Sequence, residues 1–380
     1  MNSLIQLRQT HLLFVVTLGL VCCGFIHGAQ AVMPPPDGCY PNFTTAEGCD
    51  ALSMVTTGAG NTGLGWRSLS LDSTGSFNTG IGGGALALNN GDSNTAAGAA
   101  ALLLNTTGTE NTAVGTDALV FNDIGGQNTA NGAFALFSNT MGEDNTASGV
   151  DALFSNTTGS NNTANGSTAL ANNVTGNVNT AAGFQALQSN TTGSFNTAVG
   201  AFALKSNLDG EVNTAMGNSA MTNNTSGIQN VATGFGALAG NMSGSQNTAI
   251  GFHALVSNTG AHNTAIGGNA GANATTGDGN VYIGADMQGV AGESNTTYIR
   301  NVSTTEQSPA EDVAFVTVRI PDGRIGHQPI VMRSAGPGFQ KATEELKATV
   351  ARHEATIAQL KKAVEILTAQ LKEQAAQDRE

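Results

Sequence analysis

The chain has 380 residues with 50 glycines, only 11% charged residues and 5% aromatics, a composition too poor in charged and aromatic side chains for ordinary globular domains of this length. Its formal net charge is −13, and between Thr44 and Ser294 the basic residues are Arg67 and Lys205 alone. Nucleic acid and anionic membrane surfaces are recognised through basic stripes, so both are excluded as partners of this stretch.

Residues 1–31 read as a secretory signal peptide: Arg8 supplies the positive start, Leu12 to Ile26 is almost wholly apolar, and Ala29-Gln30-Ala31 is a small-x-small cleavage pattern. A run of this length is short for crossing a bilayer, so the mature chain is expected to carry no membrane-spanning segment. Lipidation at Cys22 or Cys23 is the alternative, but Val21 stands where lipoprotein signals favour a small residue. The expected location is therefore outside the cytoplasm, secreted or on the surface of a bacterial cell. A short N-terminal cap segment, 32–43, follows. Cleavage leaves two cysteines, Cys39 and Cys49, and an even pair in an exported chain reads as one disulfide, with two free thiols as the alternative.

From residue 44 to 294 one element recurs. Its consensus is N-T-A-x-G-x-x-A-L-x-x-N-x-T-G-x-x, and its first Asn falls from Asn61 to Asn280 at intervals of 17 or, twice, 16 residues. A period of this size is the mark of a solenoid. The expected fold is all-β: a parallel β-roll or β-solenoid of about 15 coils. At the usual strand spacing that gives a rod roughly 70 Å long. Position 5 is Gly in every copy, including Gly115, Gly132, Gly149, Gly166, Gly183 and Gly200, which predicts positive φ or close backbone approach. Position 3 is Ala or Gly in every copy but the last, which fits a narrow interior, and Leu at position 9 fills it. The N-T-A-x-G and x-A-L segments are expected to be short strands. Both 16-residue copies lose their residue between the Leu and the second Gly, so Asn-Thr-Thr-Gly is an outer corner. Stacked Asn amides are expected to form a hydrogen-bonded ladder. Strand alternation places Ala inside, with Thr and the variable fourth residue outside or at a subunit contact.

After the repeat, residues 295–337 read as a terminal coil and a short β-hairpin turning at Pro321-Asp322-Gly323. Residues 338–380 carry heptads. Val350, Ile357, Val364 and Leu371 take the a positions, and Leu346, His353, Leu360 and Leu367 the d positions of an α-helical coiled coil. A single helix packed on the solenoid is the alternative. Val and Ile at a with Leu at d by themselves favour two strands.

The array resembles the head repeats of trimeric autotransporter adhesins and is closer still to bacterial tail-fibre-like repeats. Asn196-Thr197-Ala198-Val199-Gly200, Ser189-Asn190-Thr191-Thr192-Gly193 and Asn280-Val281-Tyr282-Ile283-Gly284 carry the likeness, as do Gly292-Glu293-Ser294-Asn295-Thr296 and Pro321-Asp322-Gly323-Arg324-Ile325-Gly326. It spans about residues 44–326. It implies a homotrimeric left-handed β-roll and a role in attachment. Two features of those relatives have no counterpart here. His327-Gln328-Pro329-Ile330 follows Gly326 where the tail-fibre-like proteins carry a self-cleaving chaperone motif. Charged heptads stand where the adhesins have a membrane β-barrel.

No catalytic motif emerges. The six histidines are scattered, without the spacing of metal ligands on a helix, and acidic residues such as Asp117, Asp151 and Asp209 occupy varied columns. Neither an enzyme nor a cofactor is expected. Asn-x-Thr sequons such as Asn105, Asn156 and Asn190 arise from the repeat itself and matter only in a host that glycosylates them. The expected function is a secreted or surface-exposed structural or adhesive fibre, homotrimeric and facing an unknown surface ligand. The alternative is an ice-binding solenoid that uses the Thr column, against which Val231 and Val281 interrupt the rank.

Overall fold

A seventeen-residue repeat stacks each residue on its own equivalent, and the computed structural model follows that logic throughout. It describes residues 41–300 and the helical residues 347–355, 357–359 and 361–362. The expected signal peptide, Cys39, the expected hairpin over 313–325 and most of the heptad positions lie outside the described residues. The chain divides into two units, one ending at Asn161 and one beginning at Asn162. The first holds seven three-residue strands, from Thr45–Glu47 to Thr146–Ser148, and the second nine, from Thr163–Asn165 to Thr297–Ile299. Both are parallel β-solenoid, about 15 coils in all.

Within each unit the strands pair parallel and in perfect column register, as in Thr197↔Thr214, Ala198↔Ala215 and Val199↔Met216. Register survives the 16-residue coils, where Thr79 pairs with Thr95 and Thr248 with Thr264. The lost residue comes out of the corner: Asn89 Nδ2 reaches Gly91 O two residues on, where Asn105 reaches Gly108 three residues on. A strand could not have given up a residue without turning every later side chain to the opposite face.

The interior is narrow. Ala at positions 3 and 8 and Leu at position 9 are fully buried in successive coils, as in Ala113, Ala118 and Leu119. Position 5 must be Gly for two separate reasons. Its φ lies between +117° and +149°, and an added Cβ at Gly115 would sit 2.6 Å from the carbonyl oxygen of Gly132 in the next coil. Gly132, Gly166, Gly183 and Gly200 meet the next coil's backbone in the same way, and Gly149 shares the positive φ.

The expected second strand over x-A-L is absent; each described coil has one strand, and the x-A-L segment is a run of turns. The reason lies in the backbone. Positions 7 and 9 adopt left-handed φ although few of them are glycine, as in Asp117 (+55°) and Leu119 (+53°). Alternation of left-handed residues curls the chain and rules out an extended strand. Hydrogen bonding between coils continues regardless, from Leu119 N–H to Ala135 O at 3.0 Å.

Asparagine forms two ladders, not one. At position 1 the backbone N–H and, in most coils, the side-chain Nδ2 donate to the Oδ1 of the Asn one coil earlier: Asn128 N at 3.0 Å and Nδ2 at 3.1 Å from Asn111 Oδ1; Asn78 Nδ2 turns instead to Asp72 and Asn94 Nδ2 to Asn89. At position 12, Asn122 Nδ2 donates to Asn105 Oδ1 at 2.6 Å and to Gly125 O at 2.8 Å. Both columns are completely buried and almost fully satisfied, which is what makes polar interiors tolerable. The sequence signal for the second ladder is the Asn that opens the Asn-Thr-Thr-Gly corner; it is expected outside with the corner and is instead fully buried.

The Leu and Ala columns change together near the end. Gly271 takes the Leu position and Tyr282 the Ala position of the next coil, so the ring occupies the space the Leu has vacated. An added Cβ on Gly271 would lie 2.8 Å from Tyr282 Cδ2. Tyr282 is fully buried and stacks on Tyr298 with ring centroids 5.7 Å apart.

Candidate functional surface

With the interior satisfied by its own columns, what the coils offer outward is a set of ranks repeated at the strand spacing of about 4.8 Å. The sheet face carries two. The Thr rank runs through Thr95, Thr112, Thr129 and Thr146 in the first unit and Thr163, Thr180, Thr197 and Thr214 in the second, exposed or half-buried. Beside it runs position 4. In the second unit this rank is apolar over most of its length: Val199, Met216, Ile250, Ile266, Ile283 and Ile299 are all exposed, Met216 to 46%. Its polar members are Glu47, Asn131 and Ser148 in the first unit and Asn165 and Thr233 in the second.

A third rank, at position 6 just past the Gly, adds exposed aromatics. Phe235 and Phe252 are each about half exposed and stack with centroids 5.6 Å apart and planes 15° from parallel. His253 lies 4.0 Å from Phe252, ring to ring. Such a patch of side-by-side apolar groups is the kind of surface that proteins use for contact.

Ionisable chemistry is sparse and local. Among the described residues no group of three or more His, Cys, Asp or Glu converges to hold a metal. Asp72 stands in the position-12 Asn column, fully buried, where burial pushes its carboxyl up to about 6 against the hydrogen bond from Gly75 N–H. Burial also raises Asp117. At the far end Glu293 accepts a hydrogen bond from Tyr298 at 2.7 Å, and burial together with that carboxylate pushes the Tyr298 phenol up to about 12.

Cys49 is exposed on the first coil. Val350 and Ile357, both expected at a positions, are helical and exposed on the chain, to 38% and 53%. His353, at a d position, is likewise helical and exposed. Leu346, Leu360, Val364, Leu367 and Leu371 lie outside the described residues. No helix among the described residues is long and apolar enough to cross a membrane. Comparison of the chain with known protein families, with characterised proteins and with solved structures finds no match to any of them.

Proposed function

We propose that the chain is an exported structural or adhesive fibre protein, displayed at a cell or particle surface as a parallel homotrimer, without catalysis. The observation that carries this reading is the apolar position-4 rank of the second unit, from Val199 to Ile299, on coils whose interiors are already satisfied. A rank of Val, Met and Ile has no role within its own coil. It gains by burial against an equivalent rank, at about 25 cal/mol for each Å² of apolar surface removed from water. A parallel partner offers the same spacing automatically, so one contact repeats up the stack. Three chains rather than two is what the resemblance to adhesin heads and tail-fibre-like repeats implies. The exposed Val350 and Ile357 suit a helix that closes the same assembly.

Sedimentation analysis of the purified chain tests the assembly, with a trimer mass expected. A variant carrying Ile250→Asn, Ile266→Asn and Ile283→Asn should sediment as a smaller species with its solenoid intact. A monomeric wild type overturns the reading. Antibody labelling of intact producing cells tests display, and signal only after lysis would refute it.

A second reading rests on the Thr rank. Regular hydroxyls on a parallel sheet suit ordered water, which makes ice binding the second reading. One Thr per strand beside an Asn, Val or Ile neighbour makes a single rank rather than a paired one. Thermal hysteresis in a freezing assay separates the two readings.

A further inference from the structure

The corner that ends in Gly writes an N-glycosylation sequon wherever Asn at position 12 is followed two residues later by Thr or Ser. Twelve sequons fall within residues 41–300, and the fold sorts them into two equal sets. Six have an exposed Asn, among them Asn161, Asn165 and Asn223. The other six are Asn105, Asn156, Asn173, Asn190, Asn224 and Asn241, and each is 0% exposed inside the position-12 ladder.

Their amide protons are already committed. Asn105 Nδ2 donates to Asn89 Oδ1 at 2.6 Å and to Gly108 O at 2.8 Å. Asn190 Nδ2 donates to Asn173 Oδ1 and Gly193 O, and Asn224 Nδ2 to Asn207 Oδ1 and Gly227 O. Asn156 and Asn241 repeat the pattern with their own preceding Asn and following Gly. Glycan transfer from a lipid-diphosphate donor forms a C–N bond from the sugar to Nδ2. It breaks the sugar–phosphate bond, releases the lipid diphosphate and removes one amide proton. The product has lost one of two buried hydrogen bonds and carries a hydrated oligosaccharide where the interior has no room. A buried polar group left unpaired costs about 1–3 kcal/mol, and the excluded glycan keeps the coil from closing at all.

We infer that this fold is incompatible with Asn glycosylation ahead of folding: the six buried sequons must reach the folded state unmodified. The chain therefore folds in a compartment that lacks co-translational Asn-glycan transfer. The incompatibility is a property of the ladder and holds whether or not the fibre reading is right.

The test directs the full chain into a eukaryotic secretory pathway behind a host leader. It compares wild type with a sixfold variant, Thr107→Ala, Thr158→Ala, Thr175→Ala, Thr192→Ala, Ser226→Ala and Ser243→Ala. All six substituted side chains are exposed, and each change erases one buried sequon while leaving its Asn in the ladder. Wild type is expected to be retained or aggregated with glycans on the ladder Asn. The variant is expected to be secreted folded, with glycans only on exposed sites such as Asn161 and Asn223. Secretion of folded wild type with any ladder site occupied overturns the incompatibility, and secretion of folded wild type with the ladder sites empty overturns the requirement for a compartment without Asn-glycan transfer. Failure of the variant to be secreted when the same variant folds in a bacterial host also overturns the inference, because the obstruction would then lie elsewhere.

Discussion

Asp72 is the one carboxylate in a column of amides, and replacing it with Asn should stabilise the protein above neutral pH while removing a pH dependence. Between Asn89 and Asn241 the position-12 amides donate toward the N-terminus, as Asn105 does to Asn89 and Asn241 to Asn224, so the ladder must begin on an acceptor. Asp72 accepts from Gly75 N–H at 2.8 Å, Asn78 Nδ2 at 3.3 Å and Asn89 Nδ2 at 3.4 Å. These bonds do not offset its burial, and its carboxyl is raised from 3.8 to about 6. Asp92, one coil on, is the ionisable neighbour, and its charge pushes in the same direction. Because the folded value exceeds the unfolded one, the folded state binds the proton more tightly. Stability therefore falls as pH rises from about 4 to 6, and the whole penalty is present above that. A shift of this size corresponds to about 3 kcal/mol. Asn at 72 can reproduce what Asn89 does one coil later, where Oδ1 accepts from Asn94 at 3.1 Å and Asn105 at 2.6 Å. Its Nδ2 would join that of Asn61 on Gly75 O, as Asn94 and Asn105 share Gly108 O. The bond from Gly75 N–H is lost, at about 1 kcal/mol. Asp72→Asn should then gain about 2 kcal/mol in the first coils at pH 8 and lose about 1 kcal/mol at pH 4, where only the missing Gly75 bond remains. Hydrogen exchange at amides of those coils reads local stability in a repeat protein better than a single melting curve. A variant that keeps the wild-type pH dependence, or exchanges faster at pH 8, would refute the reasoning.

Gly200→Val should disrupt the coils on either side, because a Cβ there meets the Gly217 carbonyl at 2.7 Å and φ is +124°; far-UV CD and melting should both change, and a wild-type melt would contradict the geometry. Asn122→Ala leaves Asn105 Oδ1 and one proton of Asn139 Nδ2 without their present partner, at about 2–5 kcal/mol by the cost of orphaned buried groups; the check is amide exchange in those three coils. Removing residues 339–380 should lower the yield or melting temperature of the assembled form, and an unchanged trimer would show that the solenoid assembles unaided.

The period, the inward Ala and Leu and the outward Thr are legible in the sequence because each occupies one column with one residue type. The hidden part is conformational. Glycine is the usual flag for left-handed backbone, and position 5 displays it, but positions 7, 9 and 17 are also left-handed and mostly without it. Leu119, Phe134, Asp151 and Phe195 all have φ between +50° and +60°. Each such residue costs roughly 1–2 kcal/mol relative to right-handed backbone. At position 9 glycine would remove that cost, yet it would also remove the largest side chain of the interior. The Leu is kept because deleting it costs about 2–5 kcal/mol, more than the strain it tolerates. Gly271 is the exception that tests this account. It stands at position 9 with φ +65°, and there the interior is filled by Tyr282 of the next coil instead. Where another side chain supplies the volume, the column reverts to the residue its backbone prefers. A sequence reading that treats glycine as the only sign of left-handed backbone sees a strand over x-A-L for the same reason: core volume and backbone preference compete at one position, and volume wins in every described coil with Leu there.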